Sequence, residues 1–185
     1  MAKKIVVLNG SPRKHGNTAA LIDQFIAGAQ SVGHRVTRFD IAEMNIRPCI
    51  GCLRGGKDKD SPCTQKDDMD ETYPAYKAAD IIVLASPLYF WSFTAQLKAV
   101  IDRIFAVSEA NNYAAPHKDC VMLIAAGDGS QSNFKPMIDY YKSFLGNIGW
   151  TDAGMLLAGG VNEIGDIAGK PVLEEARQLG AAIKG

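Results

Sequence analysis

Nothing in this 185-residue sequence is long and apolar enough to span a bilayer. Its longest apolar runs, Ile81–Ala85 and Val121–Ala126, fall far short of the roughly 18 residues a spanning helix needs. The opening Met-Ala-Lys-Lys resembles the start of a signal peptide. However, the apolar stretch behind it, Ile5–Leu8, is cut off by Asn9-Gly10-Ser11-Pro12, and no cleavage signature follows. A cytoplasmic chain is therefore expected. Charge of one sign is also lacking. Twenty basic residues balance twenty acidic ones, which gives no electrostatic reason to expect nucleic acid or an anionic membrane as partner. Four cysteines are too few for a disulfide scaffold at this length. No repeat and no biased tract interrupts an ordinary composition, 47% hydrophobic and 22% charged. One globular domain over residues 1–185 is the expectation.

Short β-branched runs alternate with helical spacing along the chain. Lys3–Asn9 reads as a buried strand, and Thr18–Ser31 as a helix with Asn17 or Thr18 as N-cap and Gly33 just past its end. Arg35–Asp40 reads as a strand nearer a sheet edge. Asn45–Asp68, rich in Gly, Pro, Cys and charge, reads as an inserted loop. The spacing then predicts helix Asp70–Ala79, strand Ile81–Ala85, helix Thr94–Val107 and strand Cys120–Ala126. After these come helix Phe134–Leu145, with Pro136 in its first turn, strand Thr151–Ala158 and helix Pro171–Ile183. Five strand–helix units imply an α/β, doubly wound, five-stranded parallel sheet of flavodoxin-like order 2-1-3-4-5. Ligands of such sheets sit outside the carboxyl ends of the strands.

Three loops lie at those ends. Asn9–Thr18 joins a strand to a helix N-terminus, where free amides and the helix dipole favour an anion. Ser11, Asn17 and Thr18 add side-chain donors there, and Arg13 adds a bidentate one. The loop matches neither Gly-x-x-x-x-Gly-Lys-Ser/Thr nor Gly-x-Gly-x-x-Gly. Ser86–Thr94 carries Tyr89, Phe90, Trp91 and Phe93, unusual in a connection that normally runs through solvent. A flat ring lying over Pro87, Leu88, Tyr89, Phe90 and Trp91 would cover the aromatics and meet the amides of Leu88–Trp91. The alternative is that Phe93 and Phe90 pack beneath the next helix or in an oligomer contact. Gly127 and Asp128 begin a third, glycine-rich loop, which reads as a lid over the same ligand.

With Gly10-Ser11-Pro12-Arg13, Gly16-Asn17-Thr18, Ala85-Ser86-Pro87-Leu88-Tyr89, Gln96-Leu97-Lys98 and Asp102-Arg103 in place, the chain resembles the flavodoxin-like NAD(P)H-dependent FMN reductases. Within them it resembles the iron–sulfur flavoproteins and their cluster-free relatives, as does the stretch Gly159-Gly160-Val161-Asn162-Glu163. The resemblance implies FMN as cofactor, with its phosphate on Ser11, Arg13, Asn17 and Thr18 and its isoalloxazine against Pro87–Trp91. It also implies NAD(P)H as hydride donor, a small-molecule or protein electron acceptor, and a homodimer or homotetramer with the flavin near a subunit boundary. Flavin carries such chemistry itself, so no catalytic side chain is expected. A flavodoxin-like electron carrier and a redox sensor built on Cys49 and Cys52 are the competing classes.

The cysteines depart from the iron–sulfur pattern of that branch. Cys49-Ile50-Gly51-Cys52-Leu53-Arg54-Gly55 has glycine where the third cysteine of the run would stand, and Cys63 follows later. A [4Fe–4S] cluster wants four thiolates, and Cys120 falls within an expected buried strand. Neither a cluster nor another metal is expected. Three thiolates with a nearby carboxylate or histidine stay open as an alternative.

Overall fold

The computed structural model describes residues 1–185. Five strands, β1 (Lys4–Asn9), β2 (Arg35–Asp40), β3 (Ile81–Pro87), β4 (Asp119–Ala125) and β5 (Thr151–Ala158), form one sheet of order β2-β1-β3-β4-β5. Every pairing is parallel. The helices are α1 (Asn17–Ser31), α2 (Met69–Ala78), α3 (Ala95–Arg103), α4 (Phe105–Ala110), α5 (Gln131–Ile148) and α6 (Val172–Ala181), with a 3-10 turn at Ile41–Glu43.

The period of two in the central strands divides the interior. Val6, Leu8, Ile82, Leu84, Met122 and Ile124 face a large core shared with Tyr73 of α2, Leu97 of α3 and Tyr141 of α5. Ile5, Val7, Ile81, Val83, Val121 and Leu123 face a smaller core closed by Ile22, Phe25 and Ala29 of α1. Burial on both faces explains why β1, β3 and β4 read as continuous apolar runs. On the second face α1 and α6 pack backbone to backbone. A Cβ at Gly28 would stand 1.9 Å from the Arg177 carbonyl oxygen, and one at Gly180 would stand 2.1 Å from that of Phe25. Only glycine permits that approach.

Three expectations are corrected. Thr94–Val107 is two helices, because the Arg103 carbonyl accepts the Tyr73 hydroxyl at 3.1 Å and the Val107 amide turns to Ile104 instead, at 2.9 Å. Helix α5 starts at Gln131, so Pro136 lies beyond its first turn. The carbonyl that a residue-136 amide would have bonded belongs to exposed Ser132, which water reaches. Helix α1 is capped by Gly16, with no side-chain cap bond, and not by Asn17 or Thr18. Gly33 does adopt the left-handed conformation, φ +90°.

Candidate functional site

The first loop is fixed from below. Asn9, at the end of β1, donates to Asp40 (2.7 Å) and accepts the Ser11 amide at 3.0 Å. The Gly10 amide bonds the Ala85 carbonyl at 2.8 Å, tying the loop to β3. Ser11 Oγ accepts the Arg13 amide at 3.2 Å, and Gly16 closes the turn onto the Arg13 carbonyl at 3.0 Å. Helix α1 therefore opens with the amides of Asn17, Thr18 and Ala19 unpaired within the helix. No acidic residue occupies its first turn, so nothing in the helix itself neutralises the positive end of the dipole.

Two side chains expected here also hold a neighbouring loop. Arg13 Nη1 donates to the Asn162 carbonyl at 2.7 Å. The Asn17 side chain donates to the Glu163 carbonyl (2.8 Å) and accepts the amides of Gly165 (3.2 Å) and Ile167 (3.3 Å). This explains why Asn17 does not cap its own helix. The loop after β5 becomes a further wall.

The aromatic loop is a tight hairpin. Tyr89 and Ser92 exchange backbone hydrogen bonds of 3.1 and 3.0 Å, and the tip residues Phe90 and Trp91 both have positive φ, +46° and +60°. Bulky residues rarely adopt that conformation, and strain of this kind gathers at functional sites. Of the four amides expected to meet a ring, Leu88 is bonded to the Ala125 carbonyl (2.8 Å) and Tyr89 to Ser92. Only Phe90 and Trp91 keep theirs free of protein partners. Phe93 packs beneath the hairpin against Tyr140, centroids 5.9 Å apart, whereas Phe90 is 94% exposed.

A side-chain relay joins hairpin and third loop: Trp91 Nε1 donates to Asn133 (3.3 Å), and Asn133 donates to Asp128. Asp128 also accepts the Ser130 amide at 2.7 Å.

Two cavities adjoin at these strand ends. One, of about 140 Å³, is lined by Ser11, Arg13, Asn17, Thr18 and Pro87 and, on the far side, by Val161 and Asn162. The other, of about 490 Å³, is lined by Phe90, Trp91, Asp128 and Asn133. Leu88, Tyr89, Ala126 and Gly127 wall both. All eleven residues singled out as cofactor-binding in the sequence thus border one groove that is polar at one end and apolar at the other. Sequence reasoning missed Asn133, Val161 and Asn162. The Gly159–Glu163 stretch carried a signal for two of them, but only the fold brings it across to Arg13.

The family model for NADPH-dependent FMN reductase matches residues 3–152. The chain belongs to the NADPH-dependent FMN reductase family. An iron–sulfur flavoprotein of Archaeoglobus fulgidus is 31% identical over 97% of this chain and 78% of its own length. One from Methanosarcina thermophila is 30% identical, over 93% and 85%. The NAD(P)H:quinone oxidoreductase of Methanothermobacter marburgensis superposes with a TM-score of 0.75, covering 98% of this chain and 96% of that one at 20% identity, a likeness of fold. Membership in the FMN reductase family makes this chain an FMN-dependent oxidoreductase by class.

The groove fits FMN: no acidic side chain lines the polar cavity or occupies the first turn of α1, whose first amides have no partner within the helix, and the unpaired amides of Phe90 and Trp91 border the apolar end. A four-thiolate iron–sulfur cluster does not fit. The chain has three cysteines in the 45–68 loop, and Cys120 is fully buried in β4. At position 55 a Cβ would stand 2.2 Å from Glu109 Oε2, which accepts the Gly55 amide at 3.2 Å. A carboxylate fills the third cysteine's place. Nowhere do three or more His, Cys, Asp or Glu side chains gather as a metal site.

Proposed function

We propose that this chain is a single FMN-binding domain that takes a hydride from NAD(P)H and passes electrons to a second acceptor, a flat molecule such as a quinone or flavin or a protein. The observation that carries this reading is the groove: a polar cavity at a helix N-terminus opening into an apolar one under the hairpin. The phosphate would meet the amides of Asn17 and Thr18, the hydroxyls of Ser11 and Thr18, and Arg13. The ring system would lie along Leu88–Trp91, with the free amides of Phe90 and Trp91 at its edge. Bound FMN supplies the hydride-accepting ring. The chain's own task is to hold that ring, to place N–H dipoles where negative charge accumulates, and to leave one face open. Nothing in the groove calls for an acid–base side chain.

Tyr89, Phe90 and Trp91 are exposed together at the hairpin. Contiguous apolar surface of that kind marks an interface, so a homodimer or homotetramer with the groove near the subunit boundary is part of the proposal. A flavodoxin-like carrier is the second reading. Such carriers meet their partners through strongly acidic surfaces, and the balanced charge here favours the enzyme. Anaerobic mixing of the FMN-loaded protein with NADH or NADPH separates the two. Bleaching of the flavin absorbance within seconds, and reoxidation by a quinone, supports the enzyme. A flavin that neither nucleotide bleaches refutes it.

A further inference from the structure

The loop from Asn45 to Asp68 carries three thiols but not four, and its cysteines line neither cavity of the groove. Cys49, Cys52 and Cys63 border one small cavity, about 40 Å³, together with Thr64, Arg103 and Glu109. The three thiols are not equivalent. Cys63 packs against the large core. Arg103 fixes the backbone around it by holding the carbonyls of Arg47 (2.8 Å) and Gln65 (3.3 Å). Cys52 is partly exposed, and its sulfur lies 3.3 Å from the Thr64 hydroxyl. Cys49 is exposed, its sulfur accepts the Gly51 amide at 3.4 Å, and no backbone–backbone hydrogen bond fixes Cys49–Arg54. Segments without such bonds rearrange at low cost. The two-residue spacing can therefore close Cys49 onto Cys52, while Cys63 stays anchored.

We propose that Cys52 is a nucleophilic thiol that hydroperoxides oxidise, and that Cys49 resolves the product as a disulfide. The Thr64 hydroxyl, followed by the Arg54 amide and charge, holds the Cys52 thiol below its usual range, which favours the reactive thiolate at Cys52. Burial pushes Cys120 far the other way and leaves it inert. In the first step the Cys52 thiolate attacks one peroxide oxygen. The O–O bond breaks, the other oxygen leaves as water or an alcohol after protonation, and Cys52 becomes a sulfenic acid. In the second, the Cys49 thiolate attacks Cys52 Sγ, an S–S bond forms and hydroxide leaves as water. The dithiol loses two electrons and the peroxide gains them. An external dithiol reverses the oxidation by exchange.

The test treats the full-length, FMN-loaded protein with hydrogen peroxide, blocks remaining thiols, and maps disulfides by mass spectrometry, with iron assayed in parallel. The expected result is a Cys49–Cys52 disulfide, reversed by dithiothreitol, with Cys63 and Cys120 still alkylated or reduced. Cys49→Ser should leave a Cys52 sulfenic acid that dimedone traps. Cys63→Ser should leave the disulfide unchanged, and Thr64→Val should slow its formation. Circular dichroism confirms that each variant is folded. A disulfide through Cys63, dimedone labelling at another cysteine, no thiol loss, or about four irons per chain would each overturn the proposal.

Discussion

Residue chemistry separates side chains that build the site from those that would bind in it. On the proposed reading Arg13 does both: it ties Asn162 across the groove and borders the polar cavity proposed for the phosphate. Arg13→Ala should therefore weaken FMN by about 1.5–3 kcal/mol, the range for a hydrogen bond to a charged group. An unchanged dissociation constant by fluorescence titration would remove Arg13 from the site. Asp67 and Arg103 are a different case, with side chains only 1% exposed and 2.8 Å apart. Burial works against the charge on Asp67, but the Arg103 guanidinium and the amides of Arg47 and Met69 outweigh it and hold the carboxyl below its usual range. A carboxyl depressed in the folded state contributes stability that is complete above its unfolded pKa, about 4, and is lost as pH falls through the lower folded value. Asp67→Asn, which strands a buried guanidinium, should cost about 3–5 kcal/mol at neutral pH and flatten the decline below pH ~4. Urea unfolding from pH 7 to 2 measures both. No sequence pattern announced this pair. Asp67 lay in what read as an inserted, charge-rich loop, and only the fold shows Arg103 reaching 36 residues back to bury it.

Among the elements, strands and long helices were legible because their signal is local. The sheet order and the paired cores follow from apolar runs and helical spacing that each segment carries by itself. What was not legible arises where one element takes a partner from another. Tyr73 captures a carbonyl and breaks the helix at Ile104. Asn17 turns from its own cap to the 163–167 loop. The hairpin 89–92 was legible as a chemical surface but not as a shape, since two aromatics at left-handed φ contradict turn preference. That strain gives a prediction. Within one subunit Phe90 is almost wholly exposed, so there Phe90→Gly loses little packing and relieves a left-handed residue. It should raise stability by roughly 0.5–1 kcal/mol while slowing flavin reduction by NAD(P)H. Thermal unfolding showing a loss of stability would mean that the hairpin tip is not strained.

At the scale of the whole molecule, the groove lies where parallel sheets gather their ligands, at the carboxyl ends of the three central strands. On the proposed reading, the apolar hairpin beside it meets a second copy of the chain. Sedimentation should show a dimer or larger assembly at micromolar concentration, and Trp91→Ala should impair both assembly and NAD(P)H-driven flavin reduction. A monomer that still turns over at full rate would show that the hairpin is not a subunit interface and would leave the flavin site standing. On this reading the polar end of the groove holds the phosphate of FMN. Titrating the flavin-free protein with FMN and with riboflavin under the same conditions tests it most directly. FMN should bind at least about tenfold tighter, the equivalent of one charge-assisted hydrogen bond; equal affinities would mean that no phosphate is held at the polar end.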